Sequence, residues 1–290
     1  MRSEQQKLDW VNIISILILH LIGLIGPIYY FSYFGFYWPT LILSLVWFLL
    51  CSFSITAGYH RLFTHRSYKC HSFLEWLWLF FGAASSQGSA KDWVYIHLRH
   101  HAADTNPKIV DPHDIKKGFW WAHFIWLFFK NPTGRVSFLE NKKSFGFQHR
   151  YYFPLLVFFG FVLPGLIALW WQDFIGGVLL AGFTRTVLEW HMTWTINSIA
   201  HSYGCNLFKR PDQSRNNYFF ARLFLALGEI YHSFHHQFPK DYRNGHRKLD
   251  FDPTKWLIYL LSKIGLTWDL WSASEEDIEK TLAKVRSLGN

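Results

Sequence analysis

The stretch from Asp92 to Asp114 reads DWVYIHLRHHAADTNPKIVDPHD, and within it His97, His100 and His101 stand at i, i+3 and i+4. That spacing puts three imidazoles on one face of a helical turn, aimed at one point. The same triplet returns at His232, His235 and His236. Two further pairs complete the set: His60 with His65, and Asn197 with His201 four residues later. Nine of the 16 histidines fall in these four clusters, each at the edge of a long apolar segment. Imidazole is the commonest metal ligand and suits iron, zinc, copper or nickel. Nine are too many for one ion and about right for two.

Composition places these clusters beside a membrane. Half of the 290 residues are hydrophobic, with 16 Trp and 29 Phe, and the apolar residues come in runs of spanning length. The net charge of +9 suits nucleic acid or a membrane surface. The basic residues flank apolar segments and form no stripe, which favours the membrane and excludes a nucleic-acid partner. Cys51, Cys70 and Cys205 are widely spaced and imply neither a disulfide framework nor a thiolate metal site. The first apolar run is too long for a cleavable signal peptide.

The expected fold is all-α and integral to the membrane, one domain over 1–290. It has four transmembrane helices, at about 10–30, 40–59, 151–171 and 174–196, and a helical cap from 60–150 and 197–290. Each predicted span holds the roughly 20 apolar residues that a crossing needs. Residues 1–9 are expected in the interface, and Phe31 to Trp38 as a short aromatic turn. Ser72 to Ala84 and Gly118 to Phe129 are too short to cross and read as interfacial or re-entrant. Asn131 to Arg150 reads as a basic loop, and Trp256 to Leu266 as another interfacial helix. Arg185 and Glu189, at i, i+4 inside the fourth span, can pair. Arg185 is the one basic residue inside a span; the others lie on one side of the bilayer. The positive-inside rule makes that side the cytoplasm, with both termini and all four histidine clusters on it. The short termini favour a bacterial plasma membrane, with the endoplasmic reticulum as the other choice.

A lone interfacial histidine is ordinarily a hydrogen-bonded polar group, and His20, His71, His123, His149 and His246 read so. His113 stands equally for a turn or for a group behind the ligands, and His191 equally for packing or for the site. His60 and His65, at i, i+5, do not share an α-helical face. They converge if the helix ends near His60 and a turn brings His65 round. The clusters contain no carboxylate, so hydrolytic zinc chemistry lacks its usual general base. A redox-active metal pair beside lipid suggests O2 activation and attack on a C–H bond.

The boxes His60-Arg61-Leu62-Phe63-Thr64-His65, His97-x-x-His100-His101, Asn197-Ser198-x-x-His201 and His232-x-x-His235-His236 resemble those of the integral-membrane acyl desaturases. The nearest branch is the Δ9, stearoyl-CoA-desaturase-like one. Asp111-Pro112-His113, Gly118-Phe119-Trp120-Trp121, Gly228-Glu229 and Phe238-Pro239-x-Asp241-Tyr242-Arg243 support it. The resemblance implies two Fe ions (a di-iron centre) using O2 as co-substrate to desaturate a saturated acyl chain. It implies ligation by the nine clustered histidines, with Asn197 acting through a water. Gln87, Trp93, Thr193 and Trp194 match the bend of the family's acyl tunnel. Phe48 and Ser52, on the helical face of His60, are expected at its closed end. Ser233 and Ile230 stand where that family usually has Asn and Gly. Of the basic residues that grip coenzyme A in the animal enzymes only Lys130 remains, so acyl-CoA, acyl-carrier protein and acyl-lipid all stay open as substrates. With no fused cytochrome b5 domain, a separate donor such as cytochrome b5 or a ferredoxin is expected. A hydroxylase on the same scaffold shares every ligand. A metal transporter needs midplane polar groups in several spans, where only Arg185 and Glu189 qualify.

Overall fold

The structure, a computed structural model, describes residues 7–222 and 225–287, so the interfacial assignment of 1–9 lies mostly outside them. Helix α1 (Trp10–Tyr33) starts where Asp9 accepts a hydrogen bond from the Asn12 amide at 3.2 Å. At 1.5 Å per residue it is roughly 36 Å long. Its buried residues are Gly23, Gly26 and Tyr30, whereas Val11 and Ile28 are 74% and 68% exposed. An apolar surface of that length without a protein partner is one that lipid covers.

Helix α2 (Trp38–Thr64) returns from a turn at residues 34–37, and α3 (Ser72–Ala84), α4 (Ala90–Ala103) and α5 (Phe119–His123) follow. Then come α6 (Lys143–Arg150), α7 (Tyr152–Trp171) and a continuous helix α8 over 174–202. Helices α9 (His232–Gln237), α10 (Pro253–Lys263) and α11 (Glu275–Ser287) complete the chain. Two short strands, β1 (Lys69–Cys70) and β2 (Thr267–Trp268), pair antiparallel.

The protein is mostly helical, and α1, α2 and α7 are long and apolar enough to cross a membrane. The expected fourth span lies within α8. There the Arg185 guanidinium bonds Glu189 (3.0 Å) and the carbonyls of Ala84 (3.0 Å) and Gly160 (3.2 Å). The i, i+4 pair therefore exists, and it also ties α8 to the end of α3 and to α7. At the far end of the bundle the two hairpin turns share one carboxylate. Tyr30 donates to Asp173 at 2.6 Å, Thr40 donates to the same oxygen, and Asp173 caps α8 through the Gly176 amide at 3.0 Å. Gly177 lets α8 touch α7: a Cβ there would stand 2.6 Å from the Pro164 carbonyl.

Two sequence expectations need correction. Residues 131–136 are a loop but 137–150 are not, since Ser137–Glu140 and Lys143–Arg150 are helical. Val136, Leu139 and Phe145 bury into the core beneath α3 and α4, and Gln148 bonds Tyr59 Oη at 2.8 Å. The second correction concerns α2, which does not end at His60. It runs on through Ser54–Thr64 in wide π-type turns, and the His65 amide bonds the His60 carbonyl at 3.1 Å. Hydrogen bonds of that turn span five residues, and the rings of His60 and His65 stand 4.8 Å apart without a break in the helix.

Candidate metal centre

Four elements bring the histidines together. The end of α2 carries His60, with His65 directly after it. Helix α4 carries His97, His100 and His101, α8 carries His201, and α9 carries His232, His235 and His236. All nine meet, in two groups. His60, His65, His97, His101 and His235 form one, and His100, His201, His232 and His236 the other; within each, one ligand atom per residue lies within 4.8 Å of the rest.

In the first group Nε2 atoms face each other at 3.0 Å (His60–His235, His65–His97, His101–His235) and 3.1 Å (His97–His101). In the second, His236 Nε2 stands 3.1 Å from His100 and 3.0 Å from His232. Hydrogen bonding cannot account for this, because a neutral imidazole has one N–H and each Nε2 here meets up to two others. A shared cation does account for it. With a metal–imidazole bond of about 2.0–2.1 Å, ligands at right angles stand about 3.0 Å apart and tetrahedral ligands about 3.4 Å. The observed edges are therefore the spacing of nitrogens that share one cation. The buried Nε2 of His201, aimed into the second group, has no hydrogen-bond partner among the described residues, as a ligand atom would have none.

Four of the outward nitrogens are held, whereas Nδ1 of His232 and of His235 has no hydrogen-bond partner among the described residues. His100 Nδ1 lies 2.8 Å from Asp111, His236 Nδ1 2.9 Å from Asp104 and 2.8 Å from Asp212, and His60 Nδ1 2.6 Å from Glu229. His201 Nδ1 bonds the Asp212 carbonyl at 2.9 Å. Such outer partners fix the tautomer and point the Nε2 lone pair inward. Burial pushes the pKa of His65, His97, His101, His201, His232 and His235 well below the ordinary imidazole range. They are thus neutral and able to ligate. His100 goes the other way: burial lowers its pKa, but Asp111 more than compensates. Burial pulls the Asp111 and Glu229 carboxyls up, and their cationic neighbours hold both below the usual range.

Glu229 is itself anchored. Arg61, fully buried, bonds Glu229 (2.8 Å) and Asp252 (2.9 Å), and Asn244 bonds the other Glu229 oxygen at 2.6 Å. Gly228 is needed beside it. Its φ is +101°, and a Cβ would stand 2.3 Å from Asp252 Oδ1.

A narrow cavity touches both groups and is lined by Ile55, Thr56, Met192, Thr193 and Ile196 together with His60, His97, His100, His232 and Glu229. Trp93 and Asn197 also line it, and Trp93 stacks on His97 at 4.9 Å. Gln87 donates to Thr193 Oγ1 at 3.0 Å. The other expected substrate residues do not line this cavity. Trp194 packs on His20 and His191, the buried Ser52 hydroxyl has no partner among the described residues, Phe48 is half-buried and Lys130 is exposed.

Two readings of single histidines change. His191 joins neither group and bonds His20 and His123, which are hydrogen-bonded polar groups as expected. His113 is buried with its ring 4.4 Å from that of His100 and belongs behind the second group. The carboxylates Asp104 and Asp212 were not visible as site residues. Their only sequence signal is proximity, Asp104 lying three residues after His101.

The fold and site together define a membrane protein built around a histidine-rich metal centre. Residues 35–250 match the fatty acid desaturase family, and the chain belongs to it. Acyl-CoA desaturase 1 of Saccharomyces cerevisiae is 37% identical, over 97% of this chain and 55% of its own length. A probable acyl-CoA desaturase of Schizosaccharomyces pombe is 36% identical, over 99% of this chain and 59% of its own. The sn-2 palmitoyl-lipid 9-desaturase of a Nostoc species is 32% identical, over 91% of both. The chain thus spans a little over half the length of the two yeast relatives.

Proposed function

We propose that the protein is an O2-dependent acyl desaturase that places a cis double bond, at the Δ9 position, in a saturated acyl chain. The observation that carries this reading is the convergence of nine imidazoles in two groups, four of them lining a cavity shared with Ile55, Met192 and Ile196. His60, His65, His97, His101 and His235 would hold one iron, and His100, His201, His232 and His236 the other, with Asn197 acting through water. Iron bound there would supply O2 activation. The residues themselves orient and exclude. Ile55, Met192 and Ile196 keep water from the acyl chain, Trp93 fixes the plane of His97, and the Gln87–Thr193 bond stiffens the wall. Phe48 and Ser52 limit the depth of the tunnel, Trp194 braces it, and Lys130 meets the carrier. The carrier is acyl-CoA, acyl-carrier protein or a lipid, and a separate electron-transfer protein supplies two electrons. Four spans, α8 being the fourth, put the cap and both termini in the cytosol, consistent with the charge asymmetry.

The test is a fatty-acid profile with double-bond location from a desaturase-deficient host expressing the chain, beside His236→Ala. New cis-9 monoenes that vanish in the variant are expected. Hydroxylated acids would keep the site and overturn the reaction type. Absence of bound metal would remove the reading altogether.

A further inference from the structure

A second cavity, of about 330 Å³, lies against the four-histidine group. His100 and His201 stand in its wall, and His100 borders the acyl-side cavity as well. The lining runs from exposed Pro107, Lys116 and Pro211 to buried His100, His113 and His201, so the cavity joins solvent to the ligands. It has room for a cation with about six waters, which take roughly 180 Å³ at about 30 Å³ each. Four aspartates line it, Asp104, Asp111, Asp114 and Asp212, against one lysine, Lys116, among the described residues. A cleft lined by one sign of charge concentrates the opposite ion.

Two of these carboxylates are already paired. Asp104 and Asp212 share Arg210, at 3.0 Å and 2.9 Å, and both hold His236 Nδ1. Asp111 is different. Its Oδ2 holds His100 Nδ1 at 2.8 Å, while its Oδ1 accepts from the His113 amide at 3.1 Å and stands 3.5 Å from His113 Nδ1. His113 is only 5% exposed, and its Nδ1 has no hydrogen-bond partner among the described residues. A buried polar atom without a partner is costly, and a passing cation supplies one. His100, Asp111 and His113 bring one ligand atom each within 4.8 Å of one another. The 3.5 Å edge is wider than the 3.0 Å and 3.1 Å edges among the nine histidines. With His100 Nδ1 already bonded, two donors remain here, against four or five in the main groups. Such a pair binds a cation weakly, as a place of passage must.

We propose that this cavity is the route by which a divalent cation enters and leaves the four-histidine group, with Asp111 Oδ1 and His113 Nδ1 as transient donors on the way. The proposal rests on the metal centre and not on the reaction performed there. A hydrated cation must shed waters to reach buried imidazoles, and donors that replace them one at a time lower that barrier. Asp114, half-buried beside Lys116, adds charge nearer the surface. The acyl-side cavity offers less. Its one carboxylate among the described residues, Glu229, is already bound to His60, Arg61 and Asn244.

The alternative role for His113 is a prop for the His100 ring, 4.4 Å away, and kinetics separate the two. A route shared by entry and exit sets both rates and leaves affinity fixed, whereas losing a prop weakens the bound state and speeds release. Full-length protein in detergent is stripped of metal by a chelator and reloaded anaerobically with Fe(II). Iron per chain is read against time, and release is read as transfer from loaded protein to excess chelator. The phase absent from His236→Ala reports the four-histidine group. In His113→Leu both rates are expected to fall about tenfold, equal to about 1.4 kcal/mol on one shared barrier, with iron per chain at equilibrium unchanged. Asp114→Asn keeps an oxygen for the Lys116 amide, 2.9 Å away, and should slow uptake by a smaller factor that fades at high salt. It decides the question by itself if His113→Leu does not fold. Wild-type rates in both variants overturn the route, as does faster release with less iron bound in His113→Leu, which makes that ring a prop. A wild-type chain that takes up no iron removes the metal centre and the route with it. A wild type that loads, matched by its variants, removes the route alone.

Discussion

Twelve histidines of this protein make two kinds of arrangement, and the difference lies in how many nitrogens each ring turns to its neighbours. At the metal centre a ring offers Nε2 to a crowd of other Nε2 atoms, while Nδ1 is held outward, as in His100 by Asp111 and in His236 by Asp104 and Asp212. In the trio of His20, His191 and His123 both nitrogens are used in sequence, end to end. Convergence builds a cation site, because only a central charge reconciles lone pairs about 3 Å apart. Series bonding builds a tie between helices, because each contact shares one proton between two atoms. The same side chain serves both ends because its two nitrogens are separate acid–base sites.

The sharpest way to break this comparison is to remove a convergent ring. His236→Ala takes a ligand atom from the four-histidine group, and we expect metal in that group and all desaturation to be lost, read by metal analysis and product profile. His191→Gln should leave metal content at the wild-type level, and any loss there would erase the distinction. Next in size is Arg61→Ala. It leaves Glu229 and Asp252 buried without their cation, a change that costs about 3–5 kcal/mol, and a lower thermal midpoint with partial loss of metal should follow. Asp111→Asn weakens the hold on His100 Nδ1, and a drop of about 10–100-fold in metal affinity or activity is expected, measured by metal titration with the fold intact. The smallest effect is at the wall. Thr193→Val removes the hydrogen bond from Gln87, a loss of about 0.5–1.5 kcal/mol, seen as a modest rise in KM with metal content unchanged. Phe48→Ala should lengthen the products without lowering metal, and an unchanged chain-length profile would remove Phe48 from the tunnel.

Much of the metal centre was legible before any coordinates. Two His-x-x-His-His triplets announce a helical face, and apolar runs set the elements that carry them. His60 and His65 were legible as partners but not in their geometry. Their i, i+5 spacing fails on an α-helix and suits the wide turns of residues 54–64, and turn type depends on packing against neighbours more than on local residues. Residues 137–150 misled for a related reason. Their basic residues suggest a loop, while Leu139, Phe145 and Gln148 fold into helix once α3, α4 and Tyr59 give them something to bury against.

The amino-acid sequence by itself determined the helical class, the apolar helices, the nine histidines and the metal chemistry they imply, because those follow from local periodicity and side-chain type. Tertiary structure alone decided which histidines share a group, five and four across α2, α4, α8 and α9, and which carboxylates stand behind them. It also separated His191 from the metal and joined it to His20 and His123, residues 171 and 68 positions away. Contacts over such separations arise from helix packing, which spacing along the chain does not encode.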